Sequence, residues 1–347
     1  MKTLKLTILC TLMSGLLSFS QTVHTVDNRD QSGAQFTELQ TAVDAANAGD
    51  IIQVHPSSDS YGNITVGKML TIMGLGHNPA NTNGVVATLG NITFINNSAG
   101  SEIKGVELHR ISCGNSTTSP NQNNIHIINN RINNTITGSS TDDLSNGWII
   151  EGNYFTYNST NINPQSGTND WQVKNNFLRG SLYNLNNTSI VTNNIFLSTA
   201  NSQTFFGSCT SPLVNNNIFL ATGTLTEIGL SSSTITFVSN ITYSYYGATI
   251  APLSGSNNLD NTNPMFENVP FGSVTEFYNN DFNLSNGSPG INTGSDGTDI
   301  GLFGNNFVFD PNGRPNLTPY PESITITNSV VAPGQTLNVD FIAIQKQ

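Results

Sequence analysis

The sequence predicts an all-β solenoid, a parallel β-helix with coils of about 23 residues and a short capping α-helix at its amino end. Three observations predict it. Nearly the same nine letters occur twice, IVTNNIFLS at 190–198 and LVNNNIFLA at 213–221. An Asn preceded three positions earlier by an apolar residue recurs at nearly constant intervals. Around each such Asn, apolar and polar residues alternate, which is the period-two signature of a strand.

The repeat is read by placing that Asn at an origin. IINNRI gives Asn130, IEGNYF Asn153, VKNNFL Asn176, VTNNIF Asn194, VNNNIF Asn217 and VSNIT Asn240, at steps of 23, 23, 18, 23 and 23. IKGVEL fits one step earlier with Val106 at the origin, and FYNNDF fits later at Asn280. Three positions before the origin stand Ile127, Ile150, Val173, Val191, Val214 and Phe237. Two positions after stand Ile132, Phe155, Leu178, Phe196, Phe219 and the exception, Thr242. A period of this length means stacked units that cannot bury a core alone. β-branched and aromatic residues dominate and helix formers are scarce, so each unit is a coil of strands about 4.8 Å from the next. The repeated Asn is expected at a corner with positive φ, its amide stacked into a ladder with its neighbours.

The ends need covers, because an open solenoid exposes sheet edges. FTELQTAVDAANAGD (Phe36–Asp50) reads as the amino-terminal lid. Thr37 and Gln40 make a capping box, Leu39, Ala42, Val43 and Ala46 an apolar face, and Gly49 the stop. Strands are expected at IIQV, NITV and LTIMGLG. At the other end, DPNGRPNLTPYPES (Asp310–Ser323) reads as a Pro-rich linker or wrap, followed by two alternating strands. The expected division is a leader over 1–20, a β-helix domain over 21–310 with its helical cap at 36–49, and a linker plus short β cap over 311–347.

The leader, MKTLKLTILCTLMSGLLSFS, pairs Lys2 and Lys5 with an apolar run too short for a bilayer and small residues at Ser18 and Ser20. It predicts a cleaved secretory signal, a mature chain from near Gln21, and a secreted or cell-surface location, including the outer-membrane exterior or periplasm. No later stretch is apolar enough for a membrane span. The net charge of −11 and only 11 Lys plus Arg exclude a phosphate-binding stripe, so nucleic acid is not an expected partner. A monomer is the default oligomeric state. Cys10 falls in the leader. Cys113 and Cys209 lie four coils apart, roughly 19 Å at the strand spacing. A disulfide needs Cα atoms within about 7 Å, so two free, buried thiols are expected.

AANAGDIIQV followed by ITVGKMLTIMGLG resembles the opening of pectate-lyase-like proteins of the pectin lyase superfamily. DFNLSNGSPGINTG followed by DIGLFG is similar to their closing coils. The chain most resembles the secreted, Bacteroidetes-type members, over roughly residues 36–310. The resemblance implies a right-handed parallel β-helix. It also implies a function among polysaccharide lyases, glycoside hydrolases and non-catalytic surface proteins.

With the position three before the origin facing inward, those two and four before it face outward. These are Glu102 and Lys104, His126 and Ile128, Ile149 and Glu151, Gln172 and Lys174, then Ile190 and Thr192, and Leu213 and Asn215. Glu151 and Lys174 should be vertical neighbours. Tyr154 and Phe177, just past the corner, are expected outward too, with Arg131 and Arg179 near the same ribbon. Together they would make a sugar-binding strip of aromatic faces and charges. Lys174, Glu151, His126, Arg131 and Arg179 are the candidate catalytic groups. Asp142 and Asp143, in STDDLSNG, are the candidate Ca²⁺ ligands, with a solvated turn as the plainer reading. Trp148 and Trp171, five before their origins, should stack inside the core.

Signals that would name an activity are missing. WIIE (Trp148–Glu151) lacks the acid and His of the pectate-lyase run, and no Arg-x-Pro-x-x-Arg run exists. The paired Asp cluster and Gly-His-Gly run of polygalacturonases are also absent. The expected function is therefore a secreted or cell-surface β-helix protein that interacts with extracellular polysaccharide and has no assignable catalytic site. A polysaccharide lyase or glycoside hydrolase, and a structural stalk or adhesin, are the alternatives.

Overall fold

A computed structural model describes residues 21–81, 84–114, 121–139, 145–230, 234–316, 319–328 and 330–344. The expected leader and the candidate ligands Asp142 and Asp143 lie outside the described residues. The chain winds into a parallel β-solenoid. The first sheet holds eleven strands in the order in which the coils follow one another. The strands Thr88–Phe94 and Glu107–Cys113 are long enough to run through a bend. Beyond them each coil breaks there into two short strands, so the second sheet divides into two faces and the cross-section has three sides.

Register confirms the columns read from the repeat. Ile127, Ile150, Val173, Val191, Val214 and Phe237 are successive Cα partners. So are Leu178, Phe196, Phe219 and Thr242. Thr242 is tolerated in this apolar column because its Oγ1 accepts the Asn261 N–H at 2.8 Å, where the last coil is being closed. Trp148 and Trp171 stack inside the core at 4.8 Å and 14°, with each indole N–H donating to a carbonyl, Gln122 O and Ser145 O. Phe196 and Phe219 repeat that stacking one face away. Identical side chains on neighbouring coils thus meet at the strand spacing, and each buries large apolar area on the next.

The helix is shorter than the sequence suggests, Leu39–Ala45, and buries Leu39, Ala42 and Val43 against the first coils. No side chain caps it. Gln40, expected in a capping box, instead clamps the strand Ile64–Val66: its Oε1 accepts the Thr65 N–H and its Nε2 donates to Thr65 O. The strand Val23–Val26, not foreseen, precedes the helix and pairs with Ile51–Val54. Cys113 and Cys209 are both free, Cys209 buried and Cys113 only partly so. Among the described residues no helix is long and apolar enough to cross a membrane.

The Asn column carries the main correction. The ladder Asn residues do not hold the positive φ. That conformation falls on the residue just before each of them, Asn129, Gly152, Asn175, Asn193, Asn216 and Ser239, and on Gly105 before Val106. The ladder Asn then turns its amide inward. Asn176 is representative. Its Nδ2 donates to Ile150 O, Lys174 O and Asn194 Oδ1, and its Oδ1 accepts both the backbone and the side-chain N–H of Asn153. The chain of amides runs from Asn130 to Asn240 and ends on Asn258, one coil beyond the sequence alignment. Asn258 escaped because Gly255, not an apolar residue, stands three before it. Asn280, which fitted the pattern, is outside the ladder. It follows a 3₁₀ turn and bonds Ser273. A second column, Asn123, Asn146, Asn169 and Asn186, lines the opposite corner of the first sheet.

After the last coil the chain turns back. Residues 266–309 lie over the outward side of the second sheet, where Val274, Phe277, Phe282, Ile300, Leu302 and Phe309 bury Tyr154, Phe177, Ile195, Leu197, Ile218 and Ile241. Residues 294–315 then form a strap that climbs the solenoid against coil order along the positive-φ corners. Asn216 Oδ1 accepts the Ser295 N–H, Asn193 Nδ2 donates to Asp299 O, Asn175 Nδ2 to Leu302 O and Gly304 O, and Asn129 Nδ2 to Arg314 O. Asp310–Pro315 is therefore a wrap. The hairpin of Tyr320–Ile326 and Val339–Ile344 follows, with Ile324 and Phe341 63% and 59% exposed.

Candidate functional site

The strands Glu102–Lys104, His126–Ile128, Ile149–Glu151 and Gln172–Lys174 are consecutive in the first sheet and present alternate residues outward. In-register pairing sets His126 above Glu102, Ile149 above His126 and Lys174 above Glu151. The side chains then close into one chain of ion pairs. Lys104 Nζ donates to Glu102 Oε2 at 2.8 Å. The His126 ring reaches Glu102 Oε1 with Nδ1 at 3.9 Å and, diagonally, Glu151 Oε2 with Nε2 at 3.3 Å. The second contact is close, but the N–H is turned off the line to the oxygen, so it acts as an ion pair rather than a hydrogen bond. Lys174 Nζ closes the chain on Glu151 Oε1 at 3.2 Å. Ile128 and Ile149, both partly buried, form the floor between these groups.

The charges tune one another. The contact with His126 comes first in holding the Glu102 carboxyl down at about 2, against the effect of burial and with help from Lys104. Burial alone would lower the His126 pKa, but the two carboxylates outweigh it and raise the imidazole above its ordinary value. The two carboxylates beside the ring thus favour its protonated form. The described carboxyls that shift, those of Asp27, Asp50 and Glu102, all shift down. Among the described residues no group of three or more side chains gathers as a metal site. The strip is an array of donors and acceptors around two apolar side chains.

The expected single ribbon is two separate places. Lys174, Glu151 and His126 come together on the first sheet. Arg131, Arg179, Tyr154 and Phe177 lie past the corner, where the outward direction has turned and the strap runs between. Tyr154 and Phe177 do leave the coil, but the C-terminal cover buries them, Phe177 completely and Tyr154 to 7% exposure. Phe277 stacks on Tyr154 at 4.2 Å and 12°. Neither ring offers a face to a sugar. Arg131 pairs with Glu107 at 3.4 Å, and the guanidinium of Arg179 lies beside the Tyr154 phenol. Behind them His77 is buried, its Nδ1 2.9 Å from the Tyr278 hydroxyl, and burial with the nearby Arg131 charge pushes it down to about 3. This second cluster fastens the cover to the coils.

Sequence reasoning placed Glu102, Ile128 and Ile149 outward without assigning them a role. Their signal was available, since they share the offsets of His126 and Glu151 in adjacent coils. The diagonal reach of His126 to Glu151 was not available, because it depends on a rotamer. The chain matches no protein-family model, and no curated protein is found to be similar to it.

Proposed function

We propose that the chain is an extracellular β-solenoid protein that binds polysaccharide on the outward face of its first sheet. The observation that carries this reading is the linked array Lys104–Glu102–His126–Glu151–Lys174 around Ile128 and Ile149. The face of the second sheet just past the Asn corner, that of Tyr154, Phe177, Ile195, Ile218 and Ile241, is sealed by the protein itself, whereas the strip is left partly open. Sugars carry hydroxyl edges and apolar C–H faces, and a surface of fixed donors and acceptors around apolar floor residues suits both. The signal-like leader supports an extracellular site of action. The test is a binding panel of soluble neutral and anionic polysaccharides, with Glu151→Gln and His126→Gln compared to wild type. Retarded migration through gels containing one class, weakened by either substitution, supports the reading. Wild-type mobility in every gel contradicts it.

A further inference from the structure

We infer that the ligand of the first-sheet strip is an uncharged polysaccharide lying along the solenoid axis, with about one sugar per coil over the four coils from Glu102 to Lys174. The inference rests on the glycan-binding reading and names the ligand class and its orientation.

Charge is the first argument. Each carboxylate of the strip already contacts a cation. Glu102 meets Lys104 and His126, and Glu151 meets His126 and Lys174. A uronate or sulfate would sit beside carboxylates that already hold these cations, and it would approach a protein of net charge −11. A polycation would have to displace a Lys. Hydroxyl groups displace no cation. They donate to carboxylate lone pairs left over from the ion pairs and accept from ammonium and imidazolium N–H groups.

Shape is the second. The floor alternates in kind along the axis: Ile128 is the Cα partner of Lys104 and Glu151, and Ile149 that of His126 and Gln172. The two middle coils thus carry one apolar and one polar side chain each, and the polar pairs Glu102/Lys104 and Gln172/Lys174 flank them, with coils following at the strand spacing of about 4.8 Å. The sugar units of an extended chain repeat at a similar distance. A polysaccharide parallel to the axis can lay its middle rings on Ile128 and Ile149 and its end rings on the flanking polar pairs, whereas one lying across the sheet meets the strap at one corner and the Asn123–Asn186 column at the other.

The test uses the full chain and reducing-end-labelled oligosaccharides of two to eight units, neutral β-1,4-linked series beside oligogalacturonates of the same lengths. Fluorescence anisotropy is read at about 50 mM and about 500 mM salt, a range over which exposed charges become strongly screened. The expected result is affinity that climbs with each neutral unit to about four and then levels, that changes less than about twofold with salt, and that falls roughly tenfold in Glu151→Gln. Circular dichroism of that variant checks that it folds. Tighter, salt-sensitive binding of oligogalacturonates overturns the ligand class and leaves glycan binding intact. Saturation at one or two units overturns the axial orientation. If no series binds, the functional reading falls and this inference falls with it.

Discussion

Two columns of Asn run up this molecule one residue apart, and they do different work. The inner column, Asn130 to Asn258, is buried and passes hydrogen bonds from coil to coil. The outer column, with Asn129, Asn175, Asn193 and Asn216, takes the left-handed corner and hands its amides to the strap. A single Asn cannot serve both ends, because the left-handed residue aims its side chain outward while the one after it aims inward. The doubled letters in VKNNFL and VNNNIF record that division. Where the strap comes closest, even Asn is too large. Gly152 faces the Phe307 ring, whose Cζ would stand 2.7 Å from an added Cβ, and Gly105 faces the Pro315 ring.

The largest effect should come from the inner column. Asn176→Ala leaves the Asn153 backbone N–H without its acceptor in the core and takes the side-chain donor from Ile150 O, while Asn153 Nδ2 keeps Ile127 O and Glu151 O and Lys174 O keeps the Gly152 N–H. Buried polar groups left unpaired cost about 1–3 kcal/mol each, so a loss of about 3–5 kcal/mol is expected in urea unfolding. A loss under about 1 kcal/mol would mean that the ladder is incidental.

Next comes Gly152→Asn, which restores the repeat letter that precedes the origin Asn in most coils. Consensus reasoning expects stabilisation there. The structure predicts destabilisation of about 1–3 kcal/mol, because the side chain meets Phe307 and pushes the strap off its corner. A rise in the urea midpoint would contradict the path assigned to the strap. Asn175→Gly keeps the backbone conformation and removes only the two amide bonds to Leu302 O and Gly304 O. About 1 kcal/mol is expected, together with faster protease cleavage between 294 and 315.

The smallest effect is pH dependence at the strip. Glu102, held near 2 instead of its ordinary 4.5, contributes stability above about pH 4.5 that is lost as pH falls towards 2. His126, raised above 6.5, contributes stability below 6.5 that is lost as pH rises through its folded value. The array should therefore be firmest between about 4.5 and 6.5. His126→Gln should flatten both limbs of the stability profile, and an unchanged profile would show that the ion pairs do not couple.

The fold was legible because a solenoid repeats its physics. Period-two alternation and a 23-residue step gave the inward columns, the stacked Trp148 and Trp171, and the vertical pair Glu151–Lys174. The strap was not legible, since its partners are 79 to 185 residues away in sequence and no local pattern announces them. That blindness explains the misplacement of Tyr154 and Phe177: they do point outward, but a distant segment covers them. The assignment of positive φ to the ladder Asn failed for a subtler reason. In doublets such as Asn175–Asn176 either residue tolerates a positive φ, and only the folded backbone separates the turning residue from the bonding one.

The division of labour between Asn175 and Asn176 is tested most directly by measuring both variants in two ways, global unfolding in urea and limited proteolysis of residues 294–315. Asn176→Ala should drop the unfolding midpoint of the whole solenoid by several times more than Asn175→Gly, while Asn175→Gly should be the one that speeds cleavage of the strap. The reverse pattern, or equal effects of the two changes in both assays, would contradict it.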